Sequence, residues 1–290
     1  MTVVNSELAV EPISGALGAI VSGLDLRDVT TVEDLRPLVD ALTRHLVVFL
    51  PDQKLDLEGL ERITDLLGGR DTTPFVKPVD GHPHAIRIVR EETDRMAFAN
   101  AWHSDLSYLP QPPAYTLLHA YEIPPYGGDT LWANQYLAYE TLSPGLQKTL
   151  RSLKAVHTAD MAYGLEGVFA RAGDATSMEV EPSAEAGNRK AHPAVIRHPL
   201  SGRMALYVNP VYTTAFRGWT EADSAPLLNY LFRHSVNENL TCRLRWAVGT
   251  LAIWDNRCAV HNGLNDFSGM RRVLYRTSVR GSTPTAEEPG

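Results

Sequence analysis

The sequence predicts a mainly β fold, a sandwich or barrel with flanking helices, in a chain of 290 residues. Strand-length apolar runs recur at 85–90, 114–121, 129–134, 194–198, 204–208, 242–247, 250–255 and 271–280, each bounded by turn residues. Helical periodicity is confined to stretches near 30–45, 57–67, 135–154 and 220–236. No internal repeat points to a solenoid or propeller.

The elements follow in order. GALGAIVSGLDL (15–26) reads as short apolar strands punctuated by glycine. In TTVEDLRPLVDALTRH (30–45), Thr30 and Glu33 stand at capping-box spacing, and Val32, Leu35, Leu38, Val39 and Leu42 form an apolar stripe. LVVFL (46–50) is a buried strand stopped by Pro51. Leu57, Leu60, Ile63, Leu66 and Leu67 predict a second helix that Gly68-Gly69 ends. The helical break at 135–154 has Ser143 as cap and Pro144 in the first turn. At 220–236, Thr220 and Asp223 precede Leu227, Leu228, Leu231 and Phe232. Residues 164–192 are rich in Gly, Ala, Ser and Glu and poor in large apolar side chains. They predict a surface insertion, or a mobile lid over a pocket.

Charge and composition bound the partners. A net charge of −7 and a pI near 5.8 argue against a sequence-independent nucleic-acid binder, which needs a basic face. The apolar share of 44% and charged share of 21% are those of an ordinary globular protein. No apolar run reaches the ~20 residues of a membrane span. MTVVNSELAV has no cationic region ahead of an apolar core, so neither a signal peptide nor membrane association is expected. Cys242 and Cys258 lie in apolar strand-like runs with no CxxC, which reads as two buried reduced thiols in a cytoplasmic protein. Apolar helix faces at 31–45 and 221–236 serve either a core or a partner, so a homo-oligomer stays open.

The chemistry gathers in two places. AWHSDLSY (101–108) sets an imidazole and a carboxylate two positions apart, and WDNRCAVHNGLNDFSGMRRVLYRTSVRG (254–281) supplies a further imidazole, His261. Two imidazoles and a carboxylate on one face of an octahedral metal form the facial triad of non-haem Fe(II) oxygenases. A lone His-x-Asp is a weak signal. On the strand at 271–280, Arg272, Leu274 and Arg276 share one face. Facing outward, those arginines are solvated charges. Facing inward, they lack matching acids and imply bound anions, because guanidinium forks match carboxylates and an unpaired buried charge is costly. Two histidines and a carboxylate also suit catalytic zinc, so a zinc hydrolase is a second reading. A non-catalytic module that holds an anion on its arginines is a third. His82 and His84, in the Gly/Pro turn GHPHAIRI, read as solvated loop residues rather than a metal pair.

Taken in order, His103-x-Asp105, GGDTLW (127–132), WDNR (254–257), His261 and Arg272 with Arg276 resemble the TauD/TfdA family of Fe(II)- and 2-oxoglutarate-dependent dioxygenases. LVVFLPDQ (46–53) and HPLSGRMALYVN (198–209) extend the resemblance nearly end to end. It implies a double-stranded β-helix, or jelly roll, as a single catalytic domain over 1–290 with a lid or insertion at 161–192. It implies Fe(II) on His103, Asp105 and His261, the distal carboxylate of 2-oxoglutarate on Thr130 and Arg272, and O2 as the other cosubstrate. Arg276 would face the acidic group of a small organic acid, carboxylate or sulfonate, with Tyr212 as a pocket aromatic. Sulfonate-binding members carry a histidine in the loop after the second helix. Thr73 stands at that place in GRDTTPFVKP (69–78), which weakens a taurine assignment. The segments 69–90 and NLTCRLRW (239–246) are similar to the branch acting on aryloxyalkanoates. A carboxylate at 105, where halogenating relatives have a small residue, implies hydroxylation. Where the hydroxylated carbon bears oxygen, nitrogen or sulfur, the product collapses to a carbonyl and a leaving group.

Overall fold

The computed structural model describes residues 8–286; the first seven residues, on which much of the reading of the N-terminus rests, lie outside them. β1 (Ala9–Pro12) and β2 (Ala19–Ser22) pair antiparallel. A 3-10 turn at Glu33–Leu35 then leads into α1 (Arg36–His45). The cap sits one residue later than expected. Asp34, not Glu33, makes the reciprocal bonds: its Oδ2 accepts from the N–H groups of Thr30 and Thr31, and its own N–H donates to Thr31 Oγ1. The later start leaves Val32 at 58% exposure and Leu35, Leu38 and Leu42 as the buried stripe.

β3 (Val47–Leu50) is buried along its whole length because its two faces meet different cores. Val47 and Phe49 join one cluster, Val48 and Leu50 another. α2 (Leu57–Leu66) begins with Asp56 Oδ1 accepting from the Gly59 N–H at 2.8 Å. Gly68 and Gly69, both at positive φ, follow its end as the sequence predicts. Next come β4 (Arg70–Asp71), β5 (Ala85–Arg90), β6 (Tyr115–Glu122) and β7 (Thr130–Asn134). The break at 135–154 resolves into α3 (Gln135–Glu140) and α4 (Pro144–Arg151), because Pro144 restarts the chain at a first-turn position. Then follow β8 (Lys154–His157), α5 (Asp160–Tyr163), β9 (Lys190–Pro193), β10 (Val195–Arg197), β11 (Met204–Leu206) and β12 (Thr213–Phe216). α6 (Glu221–His234), β13 (Thr241–Leu244), β14 (Leu251–Asp255), β15 (Ala259–Gly263) and β16 (Arg272–Val279) complete the fold.

The molecule is mostly β with a few helices. The large sheet runs β1-β2-β3-β14-β6-β16-β4, with β5 also on β16. Smaller antiparallel sheets are β13-β7-β15, β12-β8-β9 and β10-β11. Phe49, Trp132, Trp246 and Trp254 form the heart of one core, with Phe49 edge-on to Trp132 at 5.2 Å and Trp132 edge-on to Trp254 at 5.8 Å. The second core packs Leu35, Leu38 and Leu42 with Leu60 and Ile63 of α2 against Leu117, Leu251 and Ile253.

The stretch 161–192 is tied down on both sides. Ala175 O accepts from the N–H groups of Arg95 and Met96, Ser177 donates to Asp94 through its N–H and Oγ, and Glu181 N–H donates to Phe75 O. Tyr163, Phe169 and Met178 pack with Leu106, Tyr108 and Tyr212. Among the described residues, no helix is long and apolar enough to cross a membrane. Cys242 and Cys258 are both free and buried.

Candidate active site

His103 and His261 meet as directly opposed residues of an antiparallel bridge. The His103 N–H donates to His261 O at 3.0 Å, and the His261 N–H returns a bond to His103 O at 2.8 Å. Such opposition brings side chains together, and the two rings lie 4.2 Å apart. β15 carries His261 and is held by β7 through the His261–Trp132 register. Asp105 precedes Leu106, a non-glycine residue at φ 50° that turns the chain beneath it. Asp105 Oδ1 thereby reaches 3.6 Å from His103 Nε2 and 3.9 Å from His261 Nε2. All three side chains are buried, and their donor atoms lie within 4.8 Å of one another.

The neighbours set which atoms face this point. His103 Nδ1–H donates to Ala101 O at 2.7 Å, which leaves the Nε2 lone pair free. Asp105 Oδ2 accepts from Thr116 Oγ1 at 2.8 Å, and Thr116 Oγ1 accepts in turn from Asn256 Nδ2 at 2.8 Å. Asn256 Oδ1 accepts from Trp254 Nε1 at 3.0 Å and from the Asp105 N–H at 3.3 Å. One carboxylate oxygen is therefore spoken for, and the other turns to the imidazoles. Burial alone would raise the Asp105 carboxyl, but Arg276, His261 and His103 outweigh it and hold it below the usual carboxylate range. Burial, reinforced by His103 and opposed by Asp105, lowers His261 to about 3, so its ring is neutral at pH 7.

Both strand arginines face inward. Arg276 Nη1 donates to Asp105 Oδ1 at 3.1 Å and Nη2 to Thr73 Oγ1 at 3.3 Å, while its buried Nε has no partner among the described residues. Arg276 is thus half satisfied by the triad and by the loop residue that stands in place of a histidine. Arg272 lies over the rings of Trp246 and Phe267, at 5.8 and 5.7 Å, with Nε and Nη2 buried and unpartnered among the described residues. Burial lowers Arg272 to about 10, against an opposing pull from Asp129. Asp129 is already engaged by Arg243 Nε at 2.6 Å. Trp246 Nε1 donates to Thr130 Oγ1 at 3.0 Å, which links Thr130 to the indole under Arg272. The double glycine of GGDTLW makes room for this. At Gly128, φ +69°, an added Cβ would sit 3.3 Å from Arg272 Cδ and Nε; at Gly127, φ +73°, it would sit 2.7 Å from Asp266 O.

A cavity of about 300 Å³ opens on His103 and Asp105, within the usual range of ligand sites. His103, Asp105, Tyr212 and Arg276 line it together with Met96, Phe98, Met161, Val168 and Phe169. Tyr212 stands edge-on to His103 at 6.2 Å. His82 and His84 form no metal pair: His82 Nδ1 lies 3.0 Å from Glu61 Oε2 and His84 Nδ1 lies 3.3 Å from Asp71 O. A second buried cluster, His198, Asp255 and Cys258, escaped the sequence reading. His198 accepts the Ser201 N–H on Nδ1 and donates from Nε2 to Asp255 at 2.9 Å, and Arg257 binds the same carboxylate. With those groups already paired, the cluster fastens the HPLSG turn to β14.

The profile of the taurine catabolism dioxygenase TauD, TfdA family matches residues 9–278. An alpha-ketoglutarate-dependent sulfate ester dioxygenase of Pseudomonas putida is 32% identical, over 96% of this chain and 91% of that protein. Among solved structures, a taurine dioxygenase from Burkholderia xenovorans superposes with a TM-score of 0.80 at 30% identity, covering 97% of this chain and 93% of the other. AAD-2, solved in complex with Mn(II) and N-oxalylglycine, gives 0.77 at 22% identity over 99% and 100%, a likeness of fold alone. The matched profile spans both arms of the triad and both inward arginines, and the chain belongs to the taurine catabolism dioxygenase TauD, TfdA family.

Proposed function

We propose that this dioxygenase hydroxylates a small organic anion with an apolar tail, a sulfate ester or sulfonate before a carboxylate, and that its sheets close as a jelly roll around the site. The observation that carries the reading is the convergence of Asp105 Oδ1 with two imidazole nitrogens beside two inward guanidinium groups. Nitrogen and oxygen donors of this kind on one side of a point suit Fe(II) with open positions opposite. His103, Asp105 and His261 would hold it. Arg272, with two idle donors, and Thr130, at the indole beneath it, would hold the distal carboxylate of 2-oxoglutarate. When bound, iron and 2-oxoglutarate supply the oxidising power that puts one atom of O2 into succinate and the other on a substrate carbon.

The chain's own task is placement. Arg276 and Thr73 take the anionic head, and Tyr212, Phe98 and Phe169 line the path of the tail and keep water from the reacting carbon. No side chain is needed as a general base. In a sulfate ester, hydroxylation beside the ester oxygen gives a product that collapses to an aldehyde and inorganic sulfate. The relative's sulfate-ester chemistry and the apolar lining of the cavity both favour this head and tail. A zinc hydrolase would leave the Arg272 donors without purpose.

The test supplies Fe(II), 2-oxoglutarate and O2 together with alkyl sulfates, alkyl sulfonates and aryloxyacetates, and measures succinate. Substrate-dependent succinate with sulfate or sulfite release is expected from the first two groups. Succinate from none of the panel would overturn the reading.

A further inference from the structure

Tyr108 lies three residues after Asp105 and is 7% exposed, with its hydroxyl unpartnered among the described residues. Its ring is fixed edge-on to Tyr212 at 4.9 Å and stacked on Phe75 at 6.1 Å. Tyr212 lines the cavity together with Arg276, and Phe75 lies two residues after Thr73, so both ring partners of Tyr108 belong to the head-group region. Among the described residues, the hydroxyls of the two other tyrosines there, Tyr163 and Tyr212, are not buried and orphaned in this way. Arg276 keeps Nε buried and idle beside the same space.

An orphaned buried hydroxyl destabilises a fold unless something bonds it. Phenylalanine would fill the same ring position without that penalty. The chain keeps the oxygen, in a cluster that shares Tyr212 with the cavity lined by the arginine proposed to hold the substrate's head. Burial raises the Tyr108 hydroxyl well above its ordinary value, so it stays protonated and can only donate toward an anion.

We infer that Tyr108 is a head-group residue: its hydroxyl donates to an oxygen of the bound anion that Arg276 and Thr73 leave unpaired. This rests on the reading of the site given above and narrows it. A sulfo group offers three oxygens, one each for Arg276, Thr73 and Tyr108, whereas a carboxylate offers two. Tyr108 therefore selects a sulfate or sulfonate head over a carboxylate, because a site donor left without its acceptor counts against the wrong ligand.

The experiment is calorimetric binding of hexyl sulfate and of heptanoate to the protein loaded with Mn(II) and N-oxalylglycine, for wild type and Tyr108→Phe. The variant should bind hexyl sulfate about tenfold more weakly, leave heptanoate unchanged and melt at or above the wild-type temperature. Equal hexyl sulfate affinity in the two proteins, equal weakening for both anions, a lowered melting temperature in the variant, or no wild-type affinity for hexyl sulfate would each overturn the inference. Succinate release from wild type alongside an indifferent Tyr108→Phe would sink the inference alone. Tyr108-dependent binding without succinate release would sink the dioxygenase reading and leave the head-group assignment standing.

Discussion

Asp105 gives its two oxygens different duties, and the division is made by residues outside the triad. Thr116 holds Oδ2 and is itself held by Asn256, while Oδ1 is left to the imidazoles and Arg276. Thr116→Val keeps the shape and removes the bond, so the carboxylate loses its fixed rotation. Outer-shell bonds of this kind are worth about 10–100-fold in metal affinity. Co(II) titration followed by visible absorption should show a loss of that size in the variant; an unchanged affinity would refute the clamp. At this scale the sequence was partly legible. His103, Asp105, His261, Thr130 and Arg272 could be matched to a family pattern because the pattern names residue types and their order, which the sequence displays directly. Arg276 was read from the sequence as an inward-facing anion holder; its bond to Asp105 was not foreseen. Thr116 and Tyr108 could not be found, because their meaning lies in what a distant neighbour leaves unbonded. Asn256 stood inside the quoted WDNR, yet nothing in those four letters says that its amide oxygen takes a tryptophan N–H.

Elements were read well where one periodicity governed them and less well where two constraints compete. β5 falls on the run at 85–90, and β16 lies within 271–280 with its arginines on the inward side. β8, β9 and β12 went unread because four-residue strands containing His, Lys, Pro or Thr show no apolar alternation. The capping box ahead of α1 was misplaced by one residue, since Thr30/Glu33 and Thr31/Asp34 both have the spacing and only the fold shows which is bonded; the box opens the 3-10 turn, and α1 itself starts at Arg36. That difference can be measured. Asp34→Ala should cost ~1 kcal/mol in urea unfolding, the usual worth of a helix cap, and Glu33→Ala only a few tenths. The reverse order would restore the expected box. The insertion was read as a surface segment or a lid. Its bonds to Asp94, Arg95, Met96 and Phe75 show how it is anchored, and Tyr163 and Phe169 explain why it contributes to the cavity.

The whole molecule carries an unusual load of buried imidazole. His157 is fully buried, with Nδ1 3.1 Å from Ser107 Oγ, and burial together with His192 lowers it to about 3. Burial lowers His119 and His192 as well. Above the ordinary histidine value, near 6.5, folded and unfolded chains are both neutral at these sites and stability does not change with pH on their account. As the pH falls from there toward 3, the unfolded chain binds protons that the folded chain refuses, so stability falls. Asp255 adds to the loss at the acid end: burial would raise it, but Arg257 holds it below the usual carboxylate range, so its contribution fades below about 4. Urea midpoints should therefore be level from about pH 6.5 to about pH 8 and decline steadily below about pH 6.5. A midpoint that holds constant down to about pH 4 would contradict this account of the core.

The reciprocal peptide bonds between residues 103 and 261 carry a last implication. They make the cradle part of the backbone's own stitching, complete before any ion arrives. Exchange of an ion should then leave the strand pairing intact, with the two rings held at their places by amide bonds rather than by the guest.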